Sequence, residues 1–210
     1  LNQKRTVTMK LGFSVPIHLI DSNLENSFLD NLKEDIYLLR KNDTGFKLSN
    51  NEGWHSTSDL FIKKEETFKK VCSICAKSIA SIMQSYDSKF NPDLFDARFS
   101  GWINVNPKGG SNNLHSHPNS HWSGVLYVQQ QPEVEGFSGI IEFVNPNQDG
   151  RELAKILPKM GFDNMVRIRP RTGQLVIFPS YLLHSVYPNK SNQDNITIAF
   201  NSYLLKKKKP

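Results

Sequence analysis

The hydrophobic period of this chain changes near residue 97, and no other feature limits the fold as much. Before that point, apolar residues recur at helical spacing in two segments. From Asn23 to Leu39 they are Leu24, Phe28, Leu32, Ile36 and Leu39, with acidic residues in the early turns. From Glu65 to Tyr86 they are Phe68, Val71, Cys72, Cys75, Ile79, Ile82, Met83 and Tyr86. Spacing of i, i+3 and i+4 puts each set on one face of a helix. Asn91-Pro92-Asp93 then breaks the pattern. Beyond it the period is about two. Phe99 to Val105, Gly124 to Gln129, Gly139 to Val144, Met165 to Ile168, Gln174 to Phe178 and Ile196 to Tyr203 all predict strands, joined by turns rich in Gly, Pro and Asn. Leu11 to Ile20 predicts an opening strand in which Pro16 marks an edge or a bulge. A polar loop is expected over 41–53, and a short strand and turn over 54–62. Two helices followed by at least six strands predict an α+β chain, with N-terminal helices packed on sheets closed as a jelly roll.

The length suits one domain over residues 1–210: a strand and helical part over 1–96, a jelly-roll metal-binding core over 97–205 and a basic tail over 206–210. A hydrophobic content of 38% with 10% aromatics excludes a disordered chain. No apolar run approaches the roughly 20 residues of a membrane span. Leu1 to Lys10 is polar and basic, with no apolar stretch and small-residue cleavage site after it, so the expected location is cytoplasmic. The net charge is +6, but Lys206 to Lys209 supply four of those charges and leave +2 for the body. A terminal lysine run reads as a solvated tail, and no helix-turn-helix or base-stacking pattern accompanies it, so nucleic acid is not the expected partner. Cys72 and Cys75 form a C-x-x-C pair without the second pair that structural zinc requires. They lie inside a helical pattern and read as two reduced thiols of the core.

Chemistry enters at Leu114-His115-Ser116-His117-Pro118-Asn119-Ser120-His121. Three of the six histidines fall within the seven residues 115–121, and a further one, His184, lies far downstream in Phe178-Pro179-Ser180-Tyr181-Leu182-Leu183-His184. On an extended segment His115 and His117 point to one side. Two close ligands, a long excursion and a lone third ligand are how strands assemble a mononuclear metal site. Neutral imidazoles suit Fe, Zn, Cu and Ni, and an incomplete set leaves coordination positions for substrate. His115 and His184 are the leading ligands, with His117 as the third and His121 competing with it for that place. His121 stands four residues further on, a spacing that suits a helix, and is expected beside the ligands or facing the substrate.

The C-terminal half resembles the 2-oxoglutarate and Fe(II)-dependent oxygenases, and within them a bacterial and phage branch related to prolyl hydroxylases. The resemblance is carried by His115-Ser-His117-Pro-Asn-Ser, Ser123-Gly-Val-Leu-Tyr127-Val, Gly139-Ile-Ile-Glu-Phe143, Gly173-Gln-Leu-Val-Ile-Phe-Pro-Ser180, His184-Ser-Val-Tyr-Pro188 and Ile196-Thr-Ile-Ala-Phe-Asn201. Gly53-Trp54-His55-Ser56 is similar to the N-terminal part of the same branch. The resemblance implies a double-stranded β-helix with Fe(II) at its open mouth and 2-oxoglutarate as cosubstrate. It makes His115, His117 and His184 both the metal ligands and the catalytic residues. His117 stands where an HxD or HxE pattern has its carboxylate. Tyr127 matches a strand tyrosine that hydrogen-bonds the far carboxylate of the cosubstrate. About ten residues after the distal histidine, relatives place an Arg or Lys on that carboxylate, and the matching position here is Asn195. The missing cation then has to come from elsewhere, with Lys190 or Arg98 as candidates, or the cosubstrate is a different one.

The resemblance implies hydroxylation of a small-molecule or peptidyl substrate that the sequence does not identify. Trp122, Phe143, Phe178 and Phe200 serve either as apolar walls of the site or as ordinary barrel core. The loop from Asn145 to Gly161 either covers the mouth or forms a helical connection through Glu152 to Leu157. Two other readings stay open: a cupin-like metalloenzyme that uses no 2-oxoglutarate, and a catalytically inactive jelly-roll binding module. A homodimer is compatible with all of them.

Overall fold

The computed structural model describes residues 15–131, 136–147, 150–157 and 162–208. The described residues begin with β1 (His18–Asp21) and α1 (Asn26–Asn42), followed by the two-residue strands β2 (Asn50–Asn51) and β3 (Trp54–His55). A 3-10 turn at Leu60–Ile62 leads into α2 (Glu66–Tyr86), and a second at Pro92–Leu94 leads into β4 (Phe95–Asn106). Then come β5 (Ser111–His115), β6 (Trp122–Gln129), β7 (Ile141–Val144), α3 (Arg151–Ile156), β8 (Met165–Ile168), β9 (Gln174–Pro179), β10 (His184–Val186) and β11 (Asn195–Lys206).

These strands form two antiparallel sheets. One has six strands in the order β1-β9-β6-β11-β4-β3, and the other five in the order β2-β5-β10-β7-β8. The α+β jelly roll expected from the change of period is therefore present. Alternation within the six-stranded sheet sorts its side chains between two cores. Ile103 and Val105 of β4, Leu126 and Val128 of β6, Leu175 and Ile177 of β9, and Ile196, Ile198 and Phe200 of β11 all face α1 and α2. The intervening Tyr127, Val176 and Phe178 face the second sheet, where they meet Ile141 and Phe143. The helices close the outer core with Leu29, Leu32 and Ile36 of α1 and Phe68, Val71, Cys75, Ile79 and Ile82 of α2. Each fully buried aliphatic side chain here contributes roughly 1.5–3 kcal/mol over an exposed one.

Where expectation and structure differ, local geometry gives the reason. The first helix begins at Asn26 because Asn23 has φ +53, a left-handed conformation that no helix continues through. It runs on to Asn42, with Arg40 and Lys41 favourably placed in the last turn. Of the expected opening strand, residues 11–14 lie outside the described residues, and the strand proper starts at His18, after Pro16. Tyr86 was expected on the buried face but is exposed at the helix end, where its ring meets His18 and Trp122. Cys72 and Cys75 are both free, and Cys75 is buried. The expected loop 145–161 carries the short helix α3 over its described part. Strands β5 and β10 were not anticipated: they are short and polar, and they carry the site.

Candidate metal centre

Strand register brings the distant histidines together. β10 lies between β5 and β7, with His184 directly opposite His115 on one side and Phe143 on the other. The His115 and His184 rings are 4.3 Å apart between centroids. His117 arrives differently. It lies beyond the end of β5, so the extended segment assumed for the pair stops at His115. Its backbone N–H donates to the carbonyl of Ser180 at 2.9 Å, which ties this loop to the turn between β9 and β10. Its ring then lies 4.9 Å from that of His115 and 5.1 Å from that of His184. One ring nitrogen from each of the three lies within 4.8 Å of the other two, a spacing that one ion can bridge.

Hydrogen bonding prepares two of these rings. The Nδ1–H of His115 donates to the Asn113 carbonyl at 2.7 Å, and that of His184 to the Leu182 carbonyl at 2.9 Å. A carbonyl only accepts, so the proton sits on Nδ1 and the lone pair on Nε2, the arrangement a metal ligand needs. Burial holds all three rings neutral. It depresses His184 to about 3 and His117 to about 4, with the neighbouring histidines adding to both effects, and it lowers His115 as well. Such rings need lose no proton to bind a cation at neutral pH.

Two further residues complete the surroundings and were not singled out as site residues from the sequence. The buried ring of His55 stacks on Trp102 at 5.7 Å, and Trp102 lies 5.4 Å from His117. His55 Nδ1 donates to the Ser56 carbonyl at 2.6 Å, and burial lowers its pKa too. Register supplied the placement, since His55 pairs with Asn104 across β3 and β4. His55, Trp102, His115 and His117 border an outer cavity of about 310 Å³, with Ser58 and Ser100 among its other walls. On the inner side, the triad opens into a second cavity between the sheets. There β4 contributes Asn104 and Asn106, β6 Tyr127, and β11 Asn195.

The other residues expected at a site fall on both sides of the line. Tyr127 and Asn195 both line the inner cavity, and the Tyr127 hydroxyl and Asn195 Oδ1 are buried with no hydrogen-bond partner. Burial pushes the Tyr127 phenol up, so it stays a neutral donor. Lys190 and Arg98 do not line the cavity: both are exposed, and Arg98 sits opposite Tyr203 where β4 and β11 run beyond it. His121 was expected near the ligands or facing the substrate, but its ring stacks on Tyr203 at 4.5 Å and its Nδ1 accepts from the backbone N–H of Leu204. It packs beside the end of β11, outside the cluster. Phe143 and Phe178 do wall the site, with rings 5.8 and 4.7 Å from His184. Phe200 and Trp122 pack on the helix side instead.

Comparison with known proteins agrees with this architecture. Residues 100–201 match the family model described as "Putative 2OG-Fe(II) oxygenase". No curated protein matches the chain. Among solved structures, a Pseudomonas putida prolyl-4-hydroxylase superposes with a TM-score of 0.59 at 12% identity, over 91% of this chain and 93% of that one. The viral collagen prolyl hydroxylase of Paramecium Bursaria Chlorella virus-1, in its 2OG complex, gives 0.58 at 15% identity, over 89% and 94%. HygX of Streptomyces hygroscopicus, with nickel, 2-oxoglutarate and hygromycin B bound, gives 0.60 at 14% identity, over 90% and 83%. At these identities the structures speak for the fold, and the family match over residues 100–201 makes the jelly-roll core similar to that of the 2OG-Fe(II) oxygenases.

Proposed function

We propose that His115, His117 and His184 hold Fe(II), and that this chain uses it with 2-oxoglutarate to hydroxylate a substrate bound in the outer cavity. The observation that carries the reading is the convergence of three neutral ring nitrogens within 4.8 Å, two of them with Nε2 left free by their Nδ1 hydrogen bonds. The donor set fits the ion, because imidazole nitrogen suits Fe(II) and three protein ligands leave positions for a bidentate 2-oxoacid and for oxygen. When bound, the iron supplies the oxidising chemistry, in which decarboxylation of the oxoacid to succinate is coupled to hydroxylation of a C–H bond.

The protein's own contribution is position and exclusion of water. His115 and His184 are oriented by backbone carbonyls, which do not titrate and keep both lone pairs aimed at one point. Phe143 and Phe178 pack against His184 and keep water from that side. The Tyr127 hydroxyl, buried without a partner, is available to the tail of the oxoacid. The outer cavity, about 310 Å³ and part polar, has room for a small molecule or for one side chain of a peptide. Among the described residues no helix is long and apolar enough to cross a membrane.

The test is iron-dependent conversion of 2-oxoglutarate to succinate, with iron content measured on the same samples. The parent should bind one iron, form succinate and develop a visible charge-transfer band on adding the oxoacid. His115→Ala and His184→Ala should lose all three. Iron retained by both variants would place the metal elsewhere. Iron bound at the triad with no spectral response to the oxoacid would favour a cupin-like chemistry, to which the absence of a cation at Asn195 also points.

A further inference from the structure

The inner cavity is lined by amides where a dianionic cosubstrate would lead one to look for a cation. Asn104, Asn106, Asn112, Gln130 and Asn195 surround it with Tyr127, and its described lining includes no Lys, Arg, Asp or Glu. Five polar atoms of this lining are buried with no partner: Asn104 Oδ1, Asn106 Oδ1, Gln130 Oε1, Asn195 Oδ1 and the Tyr127 hydroxyl. Buried polar groups left unpaired are costly, so a cluster of five points to a ligand that completes them. Two of the oxygens are committed to accepting. Gln130 Nε2 already donates to the Gly139 carbonyl at 3.1 Å, which leaves Oε1 without a partner. Asn106 Nδ2 is likewise spent, on Asn112 Oδ1 at 2.9 Å, while its Oδ1 lies against Gly53. The Tyr127 phenol and the Asn195 amide can donate. The lining therefore offers donors and acceptors together, the complement of a group that does both. A carboxylate only accepts, and fixed acceptor oxygens repel it. A carboxamide satisfies both kinds of partner.

Resting on the oxygenase reading, we propose that this cavity holds the tail of the 2-oxoacid by neutral hydrogen bonds alone, through Tyr127, Gln130 and Asn195, and so accepts a carboxamide tail as readily as a carboxylate. Asn195 is then a specificity-determining residue. With an arginine at that position, the carboxylate would be strongly preferred.

The experiment compares three chelators on the nickel-loaded protein by isothermal titration calorimetry, a readout that needs no turnover. N-Oxalylglycine carries a carboxylate tail, N-oxalylglycinamide carries the carboxamide, and oxamate has no tail, so all three share the metal-binding end. The two tailed compounds should bind within about threefold of each other and at least tenfold more tightly than oxamate. Asn195→Leu should weaken both tailed compounds at least tenfold and leave oxamate unchanged, which also reports that the variant is folded and loaded. A tenfold or greater preference for the carboxylate in the parent would overturn the proposal and leave the oxygenase reading intact. Unchanged binding of both tailed compounds by Asn195→Leu would do the same. Failure of all three to bind the nickel-loaded protein would overturn the oxygenase reading and the proposal with it.

Discussion

Acid should destabilise the metal-free protein in a way that His184 largely explains. A histidine in the unfolded chain titrates near 6.5, whereas folded His184 is held to about 3 and His117 to about 4. Between these values the unfolded state binds protons that the folded state refuses, so stability falls as pH falls. The contribution is complete above the unfolded pKa and is lost on the way down toward the folded one. At pH 5 both folded rings are still neutral, so the loss between pH 7 and pH 5 depends only on the unfolded value. It is about 2 kcal/mol for each such histidine, from about 1.4 kcal/mol per pH unit once the unfolded group is protonated. His184 is 3% exposed, so solvent screening does not reduce its share. Together His184 and His117 should remove about 4 kcal/mol, a large part of a typical 5–15 kcal/mol stability.

The variant that isolates the effect is His184→Leu, which keeps an apolar body against Phe143 and Phe178 and removes the titrating group. Urea unfolding of chelator-treated parent and variant at pH 7 and pH 5 gives the four free energies. The variant should lose about 2 kcal/mol less than the parent between the two pH values. Groups that titrate elsewhere cancel in that difference. A difference below about 0.5 kcal/mol would mean that His184 is solvated enough to charge in the folded protein, and the argument from burial would fail.

Gly124→Ala should lower stability by about 1–3 kcal/mol, read as a drop in melting temperature, because its Cβ would lie 2.5 Å from the Phe200 ring and 3.0 Å from the Val176 carbonyl oxygen in the middle of the six-stranded sheet. Burial raises the thiol pKa of both Cys72 and Cys75, but Cys75 is the one fully enclosed. A thiol reagent should therefore label Cys72 first in the native protein and reach Cys75 only on unfolding, and equal native rates would refute the packing of α2.

The fold was legible because the outer core obeys period. Ile103 and Val105, Leu126 and Val128, or Ile196, Ile198 and Phe200 recur every second residue, and each set faces the helices. What alternation concealed was the meaning of the residues between them. In Trp102-Ile-Asn104-Val-Asn106 and Asn195-Ile-Thr197-Ile-Ala199 the intervening positions read as a solvent face, yet they line the cavity between the sheets. Period two says which side chains share a face and not what that face meets. β5 and β10 escaped notice for a related reason: Ser-Asn-Asn-Leu-His and His-Ser-Val lack the apolar content that identifies a strand, and they are held by register and by the site they carry. His121 misled through proximity in sequence. The chain turns at Asn119, with φ +66, and the His121 ring stacks on Tyr203 near the end of β11, outside the cluster. Gly53-Trp54-His55-Ser56 carried a likeness to the same branch, but no periodicity placed His55 at the site, because β3 is two residues long.

The two departures from the pattern of related enzymes belong together. A divalent ion with one carboxylate ligand and a guanidinium in its pocket carries the same net charge as a divalent ion with three imidazoles and an amide. Either matches a doubly negative 2-oxoacid. Replacing the carboxylate by His117 alone would leave an excess of positive charge in a buried site, and replacing the arginine by Asn195 alone would leave a deficit; each error is expensive where water is scarce. Made together they preserve the balance and move the charge. With no charged group in the described lining of the inner cavity, the positive field of an ion held by the three histidines would be concentrated at that ion. The chelating end of a 2-oxoacid is then held more strongly and its tail less selectively, so this site should tolerate variation in the cosubstrate at the end furthest from the iron.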